Sequence, residues 1–190
     1  MTVPPALVIP PGLHEKISLL YREMEAAYDR MAAEIGLSCS GCPDNCCDSY
    51  FFHHTYVEWT YLLHGLRAVD RDTAAGIKKR AVQAVKEIER QRGQGRRPVI
   101  MCPVNDQGKC LLYAHRLMLC RLHGVPASVT RREKEDRFPG CYRCQELKPD
   151  GRFMDRTLFY RRLAMLEREL LTGQAASLPR FRLTIAEMIV

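Results

Sequence analysis

The sequence predicts a mainly α fold: a small helical domain with long irregular cysteine-rich loops organised around a metal centre. Three observations predict it. Apolar residues recur at three- and four-residue steps over several long stretches, the period of a helix with one buried face. The segments between these stretches are polar and rich in proline and glycine. All nine cysteines of the 190 residues fall in or beside those segments.

Taken in order, residues 1–11 are Pro-rich and predict an extended arm, ahead of one domain over 12–190. Pro10 and Pro11 lead into a first helix. There Leu13, Ile17, Leu20, Met24, Ala27, Met31 and Ile35 share a face, and Gly36 stands where a C-terminal capping glycine would. The first cysteine cluster follows at once, in a loop with Gly41 and Pro43. A second helix is predicted from about His54 to Leu66, carrying Val57, Trp59, Tyr61 and Leu62. A third runs from about Asp72 to Arg92, with Ile77, Ala81, Ala84, Val85 and Ile88 on one side and Gly93 at its end.

Residues 92–100, "RGQGRRPVI", read as a basic linker ending in a short strand, and Asn105 to Gly108 as a turn. Residues 111–119 suggest a short helical turn, and 125–150 an irregular polar stretch. A further long helix is expected from about Asp155 to Leu171, with Asp155 as N-cap and Phe159, Leu163, Leu166 and Leu170 as its stripe. Thr184 and Glu187 have capping-box spacing, which predicts one last short helix.

Hydrophobic residues make up 46% and charged residues 27%, the balance of a soluble globular chain. No apolar run approaches the ~18 residues of a membrane span, so no membrane partner is expected. The opening "MTVPPALVIPPGLHEK" has neither a basic n-region nor a long apolar h-region, so a cytoplasmic protein is expected. The net charge of +7 permits a nucleic-acid partner. Its short basic runs, at 78–80, 96–97, 131–132 and 161–162, read better as solvated faces.

A reducing compartment turns dense cysteine toward metal or redox chemistry and away from structural disulfides. Cys39, Cys42, Cys46 and Cys47 form C-x2-C-x3-C-C. Cys102, Cys110 and Cys120 follow at spacings x7 and x9, and Cys141 and Cys144 form a second C-x2-C. A C-x2-C knuckle brings two thiolates to one metal from a tight turn. Neighbouring side chains diverge, so Cys46 and Cys47 suit two metals, two irons of one cluster, or one ligand plus one supporting thiol.

The chain resembles the YkgJ-type cysteine-cluster family, described as a zinc- or iron-chelating domain with a CxxCxxCC motif. Here that motif is longer by one residue. The family's second block has the form C-P … C-x-x-Y-x-x-R-P-x-x-C-R. In "CPVNDQGKCLLYAHRLMLCR" it is matched by Cys102, Pro103, Cys110, Tyr113, Arg116, Cys120 and Arg121, with Leu117 in place of proline. The resemblance covers about 37–124 and leaves Cys141 and Cys144 outside. It implies metal chelation, in relatives that occur alone or fused to activities such as flagellin lysine methylation.

All nine cysteines are therefore candidate metal ligands. An iron–sulfur cluster, 4Fe–4S among the types, is preferred to zinc. Thiols in distant loops plus a vicinal pair suit widely spaced irons better than one ion, while two zinc ions sharing the thiolates also fit. Arg116 and Arg121 are expected to offset thiolate charge from just outside the ligand shell. His53, His54 and His123 are weaker ligand candidates. His14, His64 and His115 read as ordinary helix or surface residues, and Tyr113 as a core aromatic. The preferred function is a metal-binding protein with a redox or electron-transfer role and an unidentified redox or protein partner. The alternatives are a structural zinc-binding interaction module and a metal-dependent enzyme modifying protein or RNA.

Overall fold

The computed structural model describes residues 7–40, 42, 46–147, 149–172 and 178–190. Among the described residues seven helices and five short strands follow one another: α1 (Pro11–Glu34), α2 (Tyr56–Ala68), α3 (Arg71–Gly93), β1 (Asn105–Asp106), β2 (Lys109–Cys110), α4 (Met118–Leu122), β3 (Ala127–Arg131), β4 (Lys134–Phe138), α5 (Tyr142–Glu146), β5 (Met154–Asp155), α6 (Thr157–Leu170) and α7 (Ile185–Ile189). The mainly α expectation holds. Among the described residues no helix is long and apolar enough to cross a membrane. The first six residues of the expected arm, and Gly41 and Pro43 of the first cysteine loop, lie outside the described residues.

The chain divides into two compact units, each assembled from separated segments. The first comprises Met1–Pro10, Asn45–Leu117 and Leu170–Val190; the second comprises Pro11–Asp44 and Met118–Glu169.

In the first unit α2 is buried almost all round, through Tyr56, Val57, Trp59, Tyr61, Leu62 and Leu66. Thr55 caps it by accepting the Glu58 N–H. Trp59 donates its indole N–H to the Met188 carbonyl at 2.7 Å and lies edge-on to Phe181 at 5.0 Å. α3 starts at the N-cap Asp70 and packs Ala84 and Ile88 against Ala186 of α7. The expected capping box at Thr184 and Glu187 is formed, with both reciprocal bonds present.

In the second unit α1 begins with Pro11, where the missing N–H costs nothing. It buries Leu13, Ile17, Leu20, Tyr21 and Met24, while Ala27, Met31 and Ile35 at its far end are only half-buried. Gly36 takes φ +69, the left-handed conformation of a helix stop. α4 and β5 pack on α1, and Lys16–Glu169 and Glu23–Arg162 ion pairs tie α6 to it.

Three expectations need correction. Residues 98–100 form no strand; the short β1–β2 hairpin sits instead around the predicted 105–108 turn. Residues 125–150 are not irregular, for they contain α5 and the antiparallel β3–β4 hairpin, and β3 pairs in parallel with β5 beyond them, giving a sheet in the order β4-β3-β5. Asp155 is not an N-cap but a strand residue, whose carboxylate accepts the Thr157 N–H at 2.8 Å across one residue.

Candidate metal centre

The two units divide the nine cysteines. Cys46, Cys47, Cys102 and Cys110 belong to the first; Cys39, Cys42, Cys120, Cys141 and Cys144 belong to the second. No disulfide joins any of them.

In the first unit Cys46 and Cys47 open a 3-10 turn, Cys46–Asp48, which the Ser49 N–H closes onto the Cys46 carbonyl at 3.3 Å. The Cys102 N–H then bonds the Cys47 carbonyl at 2.8 Å, which pins the second cysteine segment to the first. The Cys102 carbonyl accepts the Asn105 N–H at 2.9 Å, so the chain turns straight into the hairpin. Asn105 faces Cys110 across that hairpin, which returns Cys110 toward Cys102. The side chain of Asn105 accepts the Gly108 N–H at 3.1 Å and holds the turn. Burial, with smaller contributions from Cys47 and Cys110, pushes the Cys102 thiol up to about 12. A bare thiolate is disfavoured there, and a cation at the sulfur would reverse that preference.

In the second unit Cys39 and Cys42 are joined by a tight turn, and Cys141 and Cys144 span the N-cap and first turn of α5. The Cys42 N–H bonds the Cys39 carbonyl at 3.2 Å. Cys141 is the N-cap of α5, and its N–H bonds the Gly124 carbonyl at 2.9 Å. Cys144 is fully buried, and burial followed by the neighbouring Cys141 raises its thiol. Gly140, at φ +83, lets backbone run against that thiol: a Cβ there would lie 2.9 Å from the Cys144 Sγ. The Cys42 Sγ lies 3.9 Å from the Tyr142 hydroxyl. Cys120 lies on α4, four residues before Gly124.

Within neither unit do three of the described cysteine sulfurs lie within 4.8 Å of one another. Four thiolates on one tetrahedral ion, with metal–sulfur bonds near 2.3 Å, would stand about 3.8 Å apart.

The remaining candidates are placed as follows. Arg121, on α4, is buried, pairs with Glu25 and lies over the Tyr21 ring at 4.5 Å. Arg116, in the first unit, stacks on the Tyr113 ring at 3.6 Å. Tyr113 is 62% exposed and so is not a core aromatic; its ring serves that guanidinium instead. His53 is buried, its Nδ1 3.9 Å from the Glu58 carboxylate, and its backbone bridges to Leu183. The His54 Nδ1 lies 3.3 Å from the Phe181 carbonyl. His123 is half-buried just after α4.

Sequence reasoning passed over three features. The His64 Nδ1 and the His115 Nε2 stand 3.3 Å apart, although 51 positions separate them. Gly65 makes room for that imidazole, since a Cβ there would meet the His115 Cγ at 2.4 Å. Tyr142, between the two cysteines of its knuckle, makes the contact with Cys42. The spacing of Cys141 and Cys144 marks the knuckle, but no local signal pairs Tyr142 with a thiol 100 positions earlier.

No protein-family model matches the chain, and neither a curated protein nor a solved structure matches it.

Proposed function

We propose that this chain is a cysteine-ligated metal-binding protein whose centre is an iron–sulfur cluster held by Cys46, Cys47, Cys102 and Cys110, with a redox or electron-transfer role. The observation that carries the reading is the backbone closure of the first unit: Cys102 N–H on the Cys47 carbonyl, and Cys110 folded back by the hairpin that Asn105 opens. Four thiols are the ligand count of [2Fe–2S] and [4Fe–4S] clusters. The vicinal pair favours more than one iron over a single tetrahedral ion, because adjacent side chains diverge.

An iron–sulfur cluster supplies one-electron chemistry when bound. The protein's part is to bind and orient it. The 3-10 turn sets Cys46 and Cys47, the hairpin sets Cys110, and Cys102 is half-buried between the two segments. The resemblance of these segments to the cysteine-cluster blocks is the sequence support for the same reading of Cys46, Cys47, Cys102 and Cys110. A cytoplasmic setting would keep these thiols reduced and ready to load.

Anaerobic purification with iron, acid-labile sulfide and absorption measurements tests this. The expected result is a brown protein with broad absorption near ~400 nm and sulfide matching iron. A colourless protein without sulfide overturns the cluster.

A further inference from the structure

We propose that His64 and His115 hold a divalent transition ion between them, at a nitrogen site separate from the thiols. The inference goes beyond the reading of the cysteines and does not depend on it. Both residues belong to the first unit.

Three observations carry it. The first is distance. The His64 Nδ1 and the His115 Nε2 face each other at 3.3 Å. Two imidazole nitrogens on one tetrahedral ion, each bonded at about 2.0–2.1 Å, stand about 3.3–3.4 Å apart. The donor atoms are therefore already at ligand spacing.

The second observation is how the pair is built. Tyr61, His64 and Gly65 lie at steps of three and four along α2, on one face. The 3-10 turn Tyr113–His115 packs against α2. Tyr61 donates its hydroxyl to the Ala114 carbonyl at 3.2 Å, and its ring lies 4.8 Å from the His115 ring. The His115 N–H bonds the carbonyl of buried Leu112 at 2.8 Å. Backbone and ring of His115 are thus both held, which lowers the ordering cost of binding an ion.

The third is Gly65. A Cβ there would stand 2.4 Å from the Cγ and 2.8 Å from the Nδ1 of His115. The imidazole rests that edge on the α2 backbone, and its far nitrogen, Nε2, is the one that meets His64.

The chemistry follows from the donors. Neutral imidazoles at this spacing can share one N–H as a hydrogen bond. Ion uptake moves that proton to the other nitrogen of the same ring and leaves both facing nitrogens bare for the metal. Imidazole suits zinc, nickel and copper. Two protein ligands leave the remaining positions to water or an incoming ligand, so uptake should be reversible, unlike that of a closed four-ligand site. His64 is exposed and His115 half-buried, so an ion reaches the pair from solvent.

The test titrates zinc into the full chain, purified anaerobically with its own metal, for the natural sequence, His64→Ala and Gly65→Ala. Calorimetry gives the affinity, and the ring-nitrogen resonances of histidine-labelled protein identify the ligand atoms. The expected result is about one zinc ion per chain beyond the purified content, with the His64 and His115 ring nitrogens shifted. His64→Ala should bind roughly tenfold more weakly or worse, with iron and sulfide unchanged. Gly65→Ala keeps both imidazoles but displaces the His115 ring, and should weaken binding likewise with its circular dichroism preserved. No added zinc, His64→Ala binding within about twofold of the natural protein, or added zinc that leaves those two rings unshifted overturns the site. His64 is exposed, so its variant decides the matter if Gly65→Ala fails to fold.

Discussion

Replacing Gly140 by alanine should destabilise the protein far more than replacing Gly36, and the structure says by how much. Both glycines adopt left-handed backbone, at φ +83 and φ +69. An L residue in that conformation costs roughly 1–2 kcal/mol. At Gly36 this is the whole cost, because nothing lies within 4 Å of a Cβ built there. At Gly140 the Cβ would stand 2.4 Å from the Gly124 carbonyl oxygen and 2.9 Å from the Cys144 Sγ. The first neighbour is backbone, and it already accepts the Cys141 N–H at 2.9 Å, so relief requires the loop itself to move. Overpacking of this kind adds about 1–3 kcal/mol. The expected loss is therefore about 3 kcal/mol for Gly140→Ala against roughly 1 to 2 for Gly36→Ala. At about 2–4 °C per kcal/mol for a chain of this size, Gly140→Ala should lower Tm by roughly 6–12 °C. Urea unfolding followed by far-ultraviolet circular dichroism, with both variants prepared alike, gives the two values. If the two losses agree within ~0.5 kcal/mol, the close approach at Gly140 is not a constraint and the reasoning fails.

Two further outcomes are expected. Trp59→Phe removes the indole donor and leaves the buried Met188 carbonyl short of a partner, at a cost of about 1–3 kcal/mol. Because Trp59 is the chain's single tryptophan, unfolding must be followed by circular dichroism, with amide exchange in α7 rising selectively; exchange that rises uniformly would show that the bond does not anchor α7. Complete metal removal should cut apparent stability sharply, since thiolate sites contribute on the order of 10 kcal/mol; a calorimetric transition unchanged after removal would show that the helices fold without metal.

Much of the helical framework was legible because its signals are local. The stripe of α1, the stop at Gly36 and the box of Thr184 and Glu187 each depend on residues within a turn or two of one another. α2 is different: buried nearly all round, it shows a run of apolar and aromatic residues rather than a stripe, and its start was placed two residues early. The three-stranded sheet was hidden for three reasons. β3 buries Ala127, Ser128 and Val129 consecutively rather than alternately, and β4 is mostly exposed charge. The turn between them puts Arg132 and Glu133 at positive φ, where the usual hairpin signal is asparagine or glycine. The thiols show the same split. Motif spacing marks which cysteines stand in C-x2-C pairs, but the contact of Cys42 with Tyr142 and the bond from Cys102 to Cys47 join segments 100 and 55 positions apart, which no local pattern encodes.

The interleaving of the two units constrains the order in which the protein is made. During synthesis chains emerge at about 5–20 residues per second and tend to fold from the N-terminal side. Here α1 leaves the ribosome first, yet its partners α4 and β5 come more than 80 residues later. Meanwhile α2 and α3 emerge without α7, whose Met188 receives the Trp59 bond and whose Ala186 meets Ala84 and Ile88. The nascent chain therefore carries exposed apolar helix faces and unliganded thiols together for several seconds. On the proposed metal-binding reading, metal arriving in that interval would meet thiols before these turns have formed. A chaperone that shields those faces would then govern how accurately the cysteines load as well as how much protein folds.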